Sequence, residues 1–316
     1  MRYCVGFLIL IFYHSNLNSQ IVTSGNVLKP IKTNYSLLID SLSSTILKDP
    51  TNYSHFYQRA WLYFQARQHF NSLEDVNVFL KHFNQNYEGH LLLGKIHAAR
   101  LNPIQAIEEF DIAIKIDPKN SAAYLQKSSV LASRSDLDYG LIFINSSIKQ
   151  FRDEKEFYLY RAIILIKSSN YKKANSDLLQ YIGSFKEGMD SIRLATAYFH
   201  SADAYLLNKE YKTALSQSYI CLKVCNYFYP VLGLRGEIKF KLGDLDGAIS
   251  DINKMEEKGF KSSRCWKILG EAYEKKGNST MACQYYSKYC EFFPKLDPYQ
   301  QEINICSKFL KRNCKN

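Results

Sequence analysis

The chain repeats itself at a fixed interval of 34 residues. The stretches His90–Pro118 and Trp266–Pro294 both carry Leu-Gly near their start, alanine twelve residues after that glycine, an aromatic residue four positions later and proline at the end. Extending this register gives seven repeat starts, at Tyr53, Tyr87, Ser121, Lys155, Ala195, Tyr229 and Ser263. Such a period predicts a stacked array of two-helix units, because one unit of this size cannot bury its apolar side alone.

One step of the repeat is longer than the others. Lys155 and Ala195 are 40 residues apart, six more than the regular step, and the extra residues fall in Gly183–Leu194 (GSFKEGMDSIRL). Because that segment contains glycine and serine, we interpret it as a widened loop.

Two places in every repeat hold only small residues. The eighth place holds Ala60, Gly94, Ser128, Ala162, Ala202, Gly236 and Gly270. The twentieth place holds Ser72, Ala106, Gly140, Ala174, Ala214, Ala248 and Ala282. We expect the two helices of each hairpin to approach closely at these places. The sixteenth place is polar and mostly Asn or Asp, which suits the turn between the helices and the N-cap of the second helix.

This pattern resembles the tetratricopeptide repeat over about residues 53–296. The resemblance implies an all-α fold: a right-handed superhelix of about seven helix hairpins, with a concave inner face and capping helices. The predicted hairpins span residues 53–86, 87–120, 121–154, 155–188, 195–228, 229–262 and 263–296. We expect residues 20–52 to form a linker and an N-terminal capping helix, and residues 297–316 to form a C-terminal capping helix.

The first residues have the order of a secretory signal peptide. A basic start precedes the apolar run Cys4–Tyr13, and a polar stretch follows to Gln20. The apolar run is too short to cross a bilayer, which takes about 20 residues. We therefore expect residues 1–19 to be removed by cleavage near Ser19, leaving a periplasmic or secreted protein without an integral membrane span. An uncleaved anchor is the alternative interpretation.

The basic charge of the chain does not single out nucleic acid. The formal net charge is +11, but Lys and Arg are spread among Asp and Glu along the predicted helices. The densest basic stretch is the C-terminal tail, where cations suit the negative end of a helix dipole. We expect solvated helix faces and no nucleic-acid partner.

Seven of the eight cysteines follow the predicted cleavage site, and all seven lie after residue 220. They are Cys221, Cys225, Cys265, Cys283, Cys290, Cys306 and Cys314. In an oxidising compartment some would pair, but the odd number leaves at least one unpaired within the chain, and the pairing stays open. Buried cysteine acting as a small apolar residue is the interpretation that we prefer.

No catalytic or cofactor motif accompanies the repeat. The sequence has no GxSxG, HExxH or GxxxxGK[ST] pattern, and no GxGxxG after a strand. The histidines lack a metal-ligand spacing, and His90 and His97 stand where other repeats have aromatic residues, which favours a packing role. We expect no enzyme activity, no metal and no cofactor.

The resemblance also implies a binding surface. In the tetratricopeptide family the inner groove is lined by the second, fifth, ninth, twelfth and thirteenth places of each first helix. Carried over residue by residue, the predicted groove holds Tyr57, Trp61, Phe64, Leu91, Lys95, Leu125, Ser129, Leu159, Ile163, Ile166, Phe199, Asp203, Leu206, Glu237, Phe240, Arg264, Lys267, Glu271 and Lys275. We expect a protein or peptide partner there, anchored by aromatic side chains.

The chain lacks one specialisation of that family. Repeats that grip the C-terminal carboxylate of a chaperone carry lysine at the fifth place and asparagine at the ninth, whereas here Lys267 is followed by Glu271. We therefore expect a scaffold for an extended or helical peptide with apolar side chains. A cytoplasmic or membrane-anchored adaptor or co-chaperone is the alternative, and a redox protein that uses the late cysteines is less favoured.

Overall fold

The computed structural model describes residues 35–185, 190–292, 310 and 314. All regular structure in these residues is helical and none of it is strand, so the all-α prediction is confirmed. The predicted signal peptide and most of the predicted C-terminal capping helix lie outside the described residues. Within the described ranges, no helix combines the length and the apolar character needed to cross a membrane.

The chain divides into two compact units, residues 1–168 and residues 169–316. In the described part of unit 1 the helices are α1 (Tyr35–Lys48), α2 (Ser54–Gln65), α3 (His69–His82), α4 (Tyr87–Ala99), α5 (Pro103–Ile116), α6 (Ser121–Ser133), α7 (Leu137–Gln150) and α8 (Glu156–Lys167). In the described part of unit 2 they are α9 (Tyr171–Ile182), α10 (Ser191–Leu207), α11 (Tyr211–Val224), α12 (Pro230–Leu242), α13 (Leu245–Glu257), α14 (Ser263–Lys275) and α15 (Ser279–Phe292).

Unit 1 is a stack of helix hairpins. The first helices α2, α4 and α6 pair with the second helices α3, α5 and α7, while α1 packs on α2 and α8 packs on α6 and α7. The first helices are also neighbours of one another, α2 of α4, α4 of α6 and α6 of α8. One surface of unit 1 is therefore built from first helices alone.

Unit 2 follows the same plan. The first helices α10, α12 and α14 pair with α11, α13 and α15, and α9 packs against α10. The first helices are again neighbours of one another. The boundary between the units falls after Ser168, so α8 and α9, the helices of the fourth predicted hairpin, belong to different units.

The small residues of the eighth and twentieth places lie at the contact between paired helices. Ser72 donates a hydrogen bond from Oγ to the backbone oxygen of Ala60 at 2.7 Å, which joins the two places of one hairpin. A Cβ added at Gly236 would lie 2.6 Å from Cγ1 of Ile252, closer than two carbon atoms approach. The paired helices thus meet where side chains are small, as the repeat pattern predicts.

The turn between the two helices has left-handed backbone at the fifteenth place of six repeats. The residues and their φ angles are Arg67 (62°), Leu101 (62°), Ser169 (61°), Lys209 (65°), Gly243 (88°) and Gly277 (73°). A residue other than glycine in this region costs about 1–2 kcal/mol. The third repeat differs, because Arg134, the residue that follows its first helix, has extended backbone (φ −81°, ψ 172°).

Aspartates at the sixteenth place cap two of the second helices. Asp136 accepts a hydrogen bond from the backbone N–H of Tyr139 at 3.3 Å. Asp244 accepts one from the backbone N–H of Gly247 at 2.8 Å. The side chains at the sixteenth place of α3, α5, α9 and α11 make no such bond. The predicted cap is therefore formed in only some of the repeats.

The widened segment is not a loop along its whole predicted length. Helix α10 begins at Ser191, so residues 191–194 are helical. The reason lies in Asp190, whose side chain accepts a hydrogen bond from the backbone N–H of Ile192 at 3.0 Å and caps the helix. Ile192 is buried, which fixes this extra turn to the body of unit 2.

Two ion pairs occupy the seventh and twenty-third places of hairpins in different units. In unit 1, Arg59 Nε donates to Oδ2 of Asp75 at 2.7 Å. In unit 2, Arg235 Nε donates to Oδ2 of Asp251 at 2.7 Å, and Lys239 adds a second cation 2.8 Å from the same oxygen. Each pair ties the first helix of its hairpin to the second.

Candidate partner-binding faces

The first helices present one surface in each unit. Face 1 is the surface of α2, α4, α6 and α8 in unit 1, and face 2 is the surface of α10, α12 and α14 in unit 2. The predicted groove residues on face 1 are Tyr57, Trp61, Phe64, Leu91, Lys95, Leu125, Ser129, Leu159, Ile163 and Ile166. Those on face 2 are Phe199, Asp203, Leu206, Glu237, Phe240, Arg264, Lys267, Glu271 and Lys275.

Several of these residues are buried against neighbouring helices. The buried ones are Leu91, Leu159, Ile163, Ile166, Asp203, Leu206 and Phe240. All three predicted groove residues of α8 are among them, because α8 uses that side to pack in unit 1. The accessible part of face 1 is therefore concentrated on α2, α4 and α6, where the remaining predicted residues are half-buried or exposed.

An aromatic stripe runs along α2 on face 1. Tyr57, Trp61 and Phe64 are spaced four and three residues apart, which places them on one side of the helix. Tyr57 and Phe64 pack on the core of the first hairpin, and the ring centroid of Tyr57 is 5.1 Å from that of Phe79. Trp61 is 46% exposed. The stripe thus presents one accessible indole between two aromatic rings that the core holds in place.

Lys95 is a half-buried cation at the ninth place of the second repeat. No carboxylate of the described residues forms an ion pair with its ammonium group. Burial lowers the pKa of Lys95, and the carboxylate of Glu88 opposes this effect. The ninth places of the neighbouring first helices hold Trp61 and Ser129, so neither of these two places supplies a counter-charge for Lys95.

Three charged side chains from three first helices meet on face 2. Asp203 on α10 and Glu237 on α12 occupy the ninth places of successive repeats, and Arg264 is the second residue of α14. Arg264 Nε pairs with Oε2 of Glu237. Arg264 Nη1 lies 3.6 Å from Oδ1 of Asp203, beyond hydrogen-bond distance. Two carboxylates thus share one guanidinium, and the cluster keeps a net negative charge.

One carboxylate oxygen of Asp203, Oδ1, is buried without a hydrogen-bond donor among the described residues. The residue is 8% exposed. Burial raises the pKa of this carboxyl group; the charge of Arg264 opposes the rise and the charge of Glu237 adds to it. Because a buried charge without donors destabilises a fold, such a group calls for an explanation in terms of function or of a missing ligand.

The remaining charges of face 2 lie on α14. Lys267 and Glu271 are half-buried. Lys275 places its ammonium 4.5 Å from the ring centroid of Phe240 on α12, so this aromatic ring is covered by a cation of its own unit. Face 2 therefore lacks an open aromatic stripe like the one on face 1.

Residues 263–296, which contain α14 and α15, match the family model of the tetratricopeptide repeat. The matched segment is a tetratricopeptide repeat, and the described residues have the fold of tetratricopeptide-repeat proteins. The matched residues are the same as the seventh hairpin predicted from the period. No curated protein matches the chain.

Solved structures with the same architecture agree with this family. A tetratricopeptide repeat protein from Parabacteroides merdae has a TM-score of 0.64 at 13% identity, over 81% of this chain and 98% of that one. The APC/C hetero-tetramer Cut9–Hcn1 has a TM-score of 0.67 at 14% sequence identity, and the match covers 89% of this chain and 53% of that one. PilW has a TM-score of 0.59 at 15% sequence identity, and the match covers 69% of this chain and 97% of that one. The chain thus spans about half of the Cut9–Hcn1 chain that it matches, and identities this low show the fold alone.

Three cysteines of the described residues are buried free thiols. They are Cys221, Cys225 and Cys265. Burial raises the pKa of each thiol, and that of Cys265 reaches about 12. Because the thiolate is the reactive form, these cysteines act as small apolar residues, as the sequence suggested.

The preferred interpretation of the late cysteines is wrong for three others. Cys283 on α15 and Cys314 form a disulfide with a Cα–Cα distance of 5.7 Å. Cys290 is also disulfide-bonded. The physical reason is that Cys314 lies against α15, which sequence spacing does not reveal. Cys306 lies outside the described residues.

His90 has a packing role. Its Nδ1 lies 2.7 Å from Oε2 of Glu109, and its Nε2 lies 3.0 Å from the backbone oxygen of Asn84. Both ring nitrogens therefore have partners within the second hairpin and the segment that leads into it. Sequence reasoning did place Asp203 and Glu237 on one surface, but nothing in the sequence marks the missing donor of Asp203.

Proposed function

We propose that this tetratricopeptide-repeat protein is a non-catalytic scaffold that binds a partner protein or peptide on its first-helix faces. The observation that carries the proposal is the aromatic stripe of Tyr57, Trp61 and Phe64 on face 1. Tryptophan and tyrosine held rigidly by a core lose little conformational entropy on binding and contribute a large apolar area, so they dominate the energy of many interfaces. A fold typical of interaction scaffolds supports the same conclusion.

One of the similar structures is a protein complex, and another is a factor for the biogenesis of an assembly. Cut9 is solved in a hetero-tetramer with Hcn1, and PilW is a type IV pilus biogenesis factor. These relatives support a role in holding an assembly together. They do not name the partner of this chain, because the identities are 14% and 15%.

We place the scaffold in the periplasm or outside the cell. The disulfide between Cys283 and Cys314 supports this compartment, because disulfides persist where the environment is oxidising. The signal-peptide order of residues 1–19 points the same way. A cytoplasmic adaptor would keep these thiols reduced, and a redox protein would need a reactive thiol in place of the three buried ones.

A photo-crosslinking residue in the full chain, expressed in its native cells, tests the binding face. We expect a crosslinker at Gln65, at the thirteenth place beside Phe64, to capture a defined partner. Phe70 on α3 is 63% exposed and provides the matched second-helix position. Trp61→Ala should reduce the Gln65 crosslink at least tenfold, whereas Leu47→Ala, at an 84% exposed residue of α1, should leave it unchanged. Crosslinks from Phe70 and none from Gln65 would contradict the proposal.

Fractionation and N-terminal sequencing of the protein from the same cells test the compartment. We expect a mature chain that begins close to Gln20, outside the cytoplasm. An intact Met1 in the cytoplasmic fraction would refute the location and leave the binding faces standing.

A further inference from the structure

We propose that Asp203 and Glu237 form a subsite on face 2 for a cationic side chain, arginine or lysine, of the partner. The inference rests on the proposed function, because it names the chemistry of one partner residue that the scaffold recognises. The occupant of face 2 is a polypeptide whose basic side chain inserts between α10 and α12.

Asp203 has a carboxylate oxygen that lacks a hydrogen-bond donor in the described part of the chain. Oδ1 of Asp203 is buried and accepts no hydrogen bond within the described residues. The nearest cation, Arg264 Nη1, is 3.6 Å away, while Nε of the same side chain is held by Glu237. An ammonium or guanidinium from outside would supply the missing N–H donors in the charge-assisted form that binds most strongly.

The charges of this cluster complement a positively charged ligand. Asp203 and Glu237 are two negative charges from neighbouring first helices, with one positive charge between them. A cationic side chain would give each carboxylate its own partner. An acidic side chain would meet two carboxylates in a site of low effective dielectric, where like charges repel strongly.

The side chain of Arg264 controls the approach from solvent to the two carboxylates. The side chain of Arg264 is 42% exposed, whereas those of Asp203 and Glu237 are 12% and 14% exposed. Arg264 therefore lies on the solvent side of the carboxylates. A long flexible side chain is the part of this cluster that moves most easily, so Arg264 can turn toward Glu237 and open the approach to Asp203.

A purely structural brace explains only part of this geometry. The ion pair between Arg264 and Glu237 links α14 to α12 and needs no ligand. A brace alone would not leave the buried oxygen of Asp203 without a donor, since a shift of Arg264 by less than an ångström would supply one. The unfilled position is what a ligand explains.

A random nonapeptide library selected on the full chain supplies a probe even though the partner is unidentified. We expect arginine or lysine to be enriched at least fivefold at one position of the peptides that bind. Selection on Asp203→Asn should lose this enrichment, because the amide has no negative charge. Selection on Glu257→Gln, which removes an exposed carboxylate on the second helix α13 outside both faces, should keep it. No binder to the wild-type chain, no basic enrichment, or enrichment that persists in Asp203→Asn would each overturn the proposal.

The strongest arginine peptide and its citrulline analogue then isolate the charge, because citrulline keeps the shape of arginine and is neutral. For the wild-type chain we expect citrulline to weaken binding about tenfold, and for Asp203→Asn less than twofold. Equal effects in the two chains would contradict a contact with Asp203. The ¹³C resonance of the Asp203 carboxyl group gives a direct readout: it should shift on adding the arginine peptide and not on adding the citrulline peptide.

Arg264→Met separates a ligand subsite from a brace. Removing this competing cation should strengthen binding of the arginine peptide several-fold and leave the citrulline peptide unchanged. If Arg264 only braces the helices, both peptides should lose affinity to the same extent. Loss of the Gln65 crosslink in Trp61→Ala together with unchanged selection in Asp203→Asn would reject this subsite and keep the scaffold proposal.

Discussion

Face 1 and face 2 are built from the same repeat and yet carry opposite charges that are only partly compensated. At the ninth place, face 1 has Lys95 without a counter-ion, and face 2 has Asp203 without a hydrogen-bond donor. The framework beneath is common, since eighth-place small residues in both units lie at the contact of paired helices. The small places let the paired helices approach, and the ninth places give the two faces opposite charges.

The two units also differ in how they are held. Unit 1 depends on packing and on ion pairs such as Arg59–Asp75, whereas unit 2 adds the disulfide Cys283–Cys314. The matched ion pair of unit 2, Arg235–Asp251, carries the extra cation of Lys239. These differences make each unit responsive to changes that the other should ignore.

The largest effect should come from the matched ion pairs. Asp251→Asn leaves two cations, Arg235 and Lys239, without a carboxylate, and we expect it to destabilise unit 2 by about 4 kcal/mol. Asp75→Asn leaves only Arg59 and should destabilise unit 1 by about 3 kcal/mol. Amide hydrogen exchange of the full chain, read separately for residues of each unit, measures both. Equal losses would show that the second cation of unit 2 does not matter.

The disulfide gives the next largest contrast. Cys283→Ser should lower the stability of unit 2 by about 2–4 kcal/mol, because the bond closes a loop with a sequence separation of 31 residues and restricts the unfolded chain. Unit 1 should not change. Urea unfolding followed by hydrogen exchange measures the difference, with Cys265→Ala in the same unit as a control for loss of a thiol. A matching loss in unit 1 would mean that the units do not unfold separately.

The sequence was sufficient for the fold and only partly sufficient for the faces. Periodic small residues such as Gly94 and Ala106 mark the helix contacts, because packing tolerates little else there. Burial of Leu159 or Ile163 depends on how tightly α8 packs on α6 and α7, which a repeat register does not specify. The contact of Cys283 with Cys314 and the missing donor of Asp203 depend on distances between segments, and one-dimensional spacing contains no such distances.

Asp203 in unit 2 and Lys95 in unit 1 should each reduce the stability of their own unit, because burial disfavours the charged form of each side chain. Asp203→Asn is expected to stabilise unit 2 by about 1–2 kcal/mol near neutral pH, because the amide removes a buried charge. The sign of the pH dependence follows from the raised pKa: above the ordinary value of 3.8, the unfolded chain releases a proton that the native carboxyl retains. The stability of wild-type unit 2 should therefore fall as the pH rises through that window.

The variant and its control sharpen the contrast between the faces. Asp203→Asn should remove this part of the pH dependence from unit 2. Lys95→Met should stabilise unit 1 by about 1 kcal/mol at neutral pH. It should not change how the stability of either unit varies with pH below neutrality. Hydrogen exchange between pH 4 and pH 7 measures both. If Asp203→Asn destabilised unit 2 instead, its carboxylate would be paired in solution and the contrast would fail.

The smallest effects should be alike in the two units, because they belong to the shared framework. Leu101→Gly in unit 1 and Lys209→Gly in unit 2 relieve left-handed backbone at the fifteenth place, and each should stabilise its unit by about 0.5–1 kcal/mol. Arg134→Gly, at the fourteenth place of the third repeat, is the control, since its backbone is extended and glycine there only adds freedom to the unfolded chain, which should destabilise unit 1 by a similar amount. Thermal unfolding of the three variants gives the signs. A gain at Arg134 or a loss at both left-handed sites would mean that the turn geometry does not govern these positions, and the common framework would then need another physical basis.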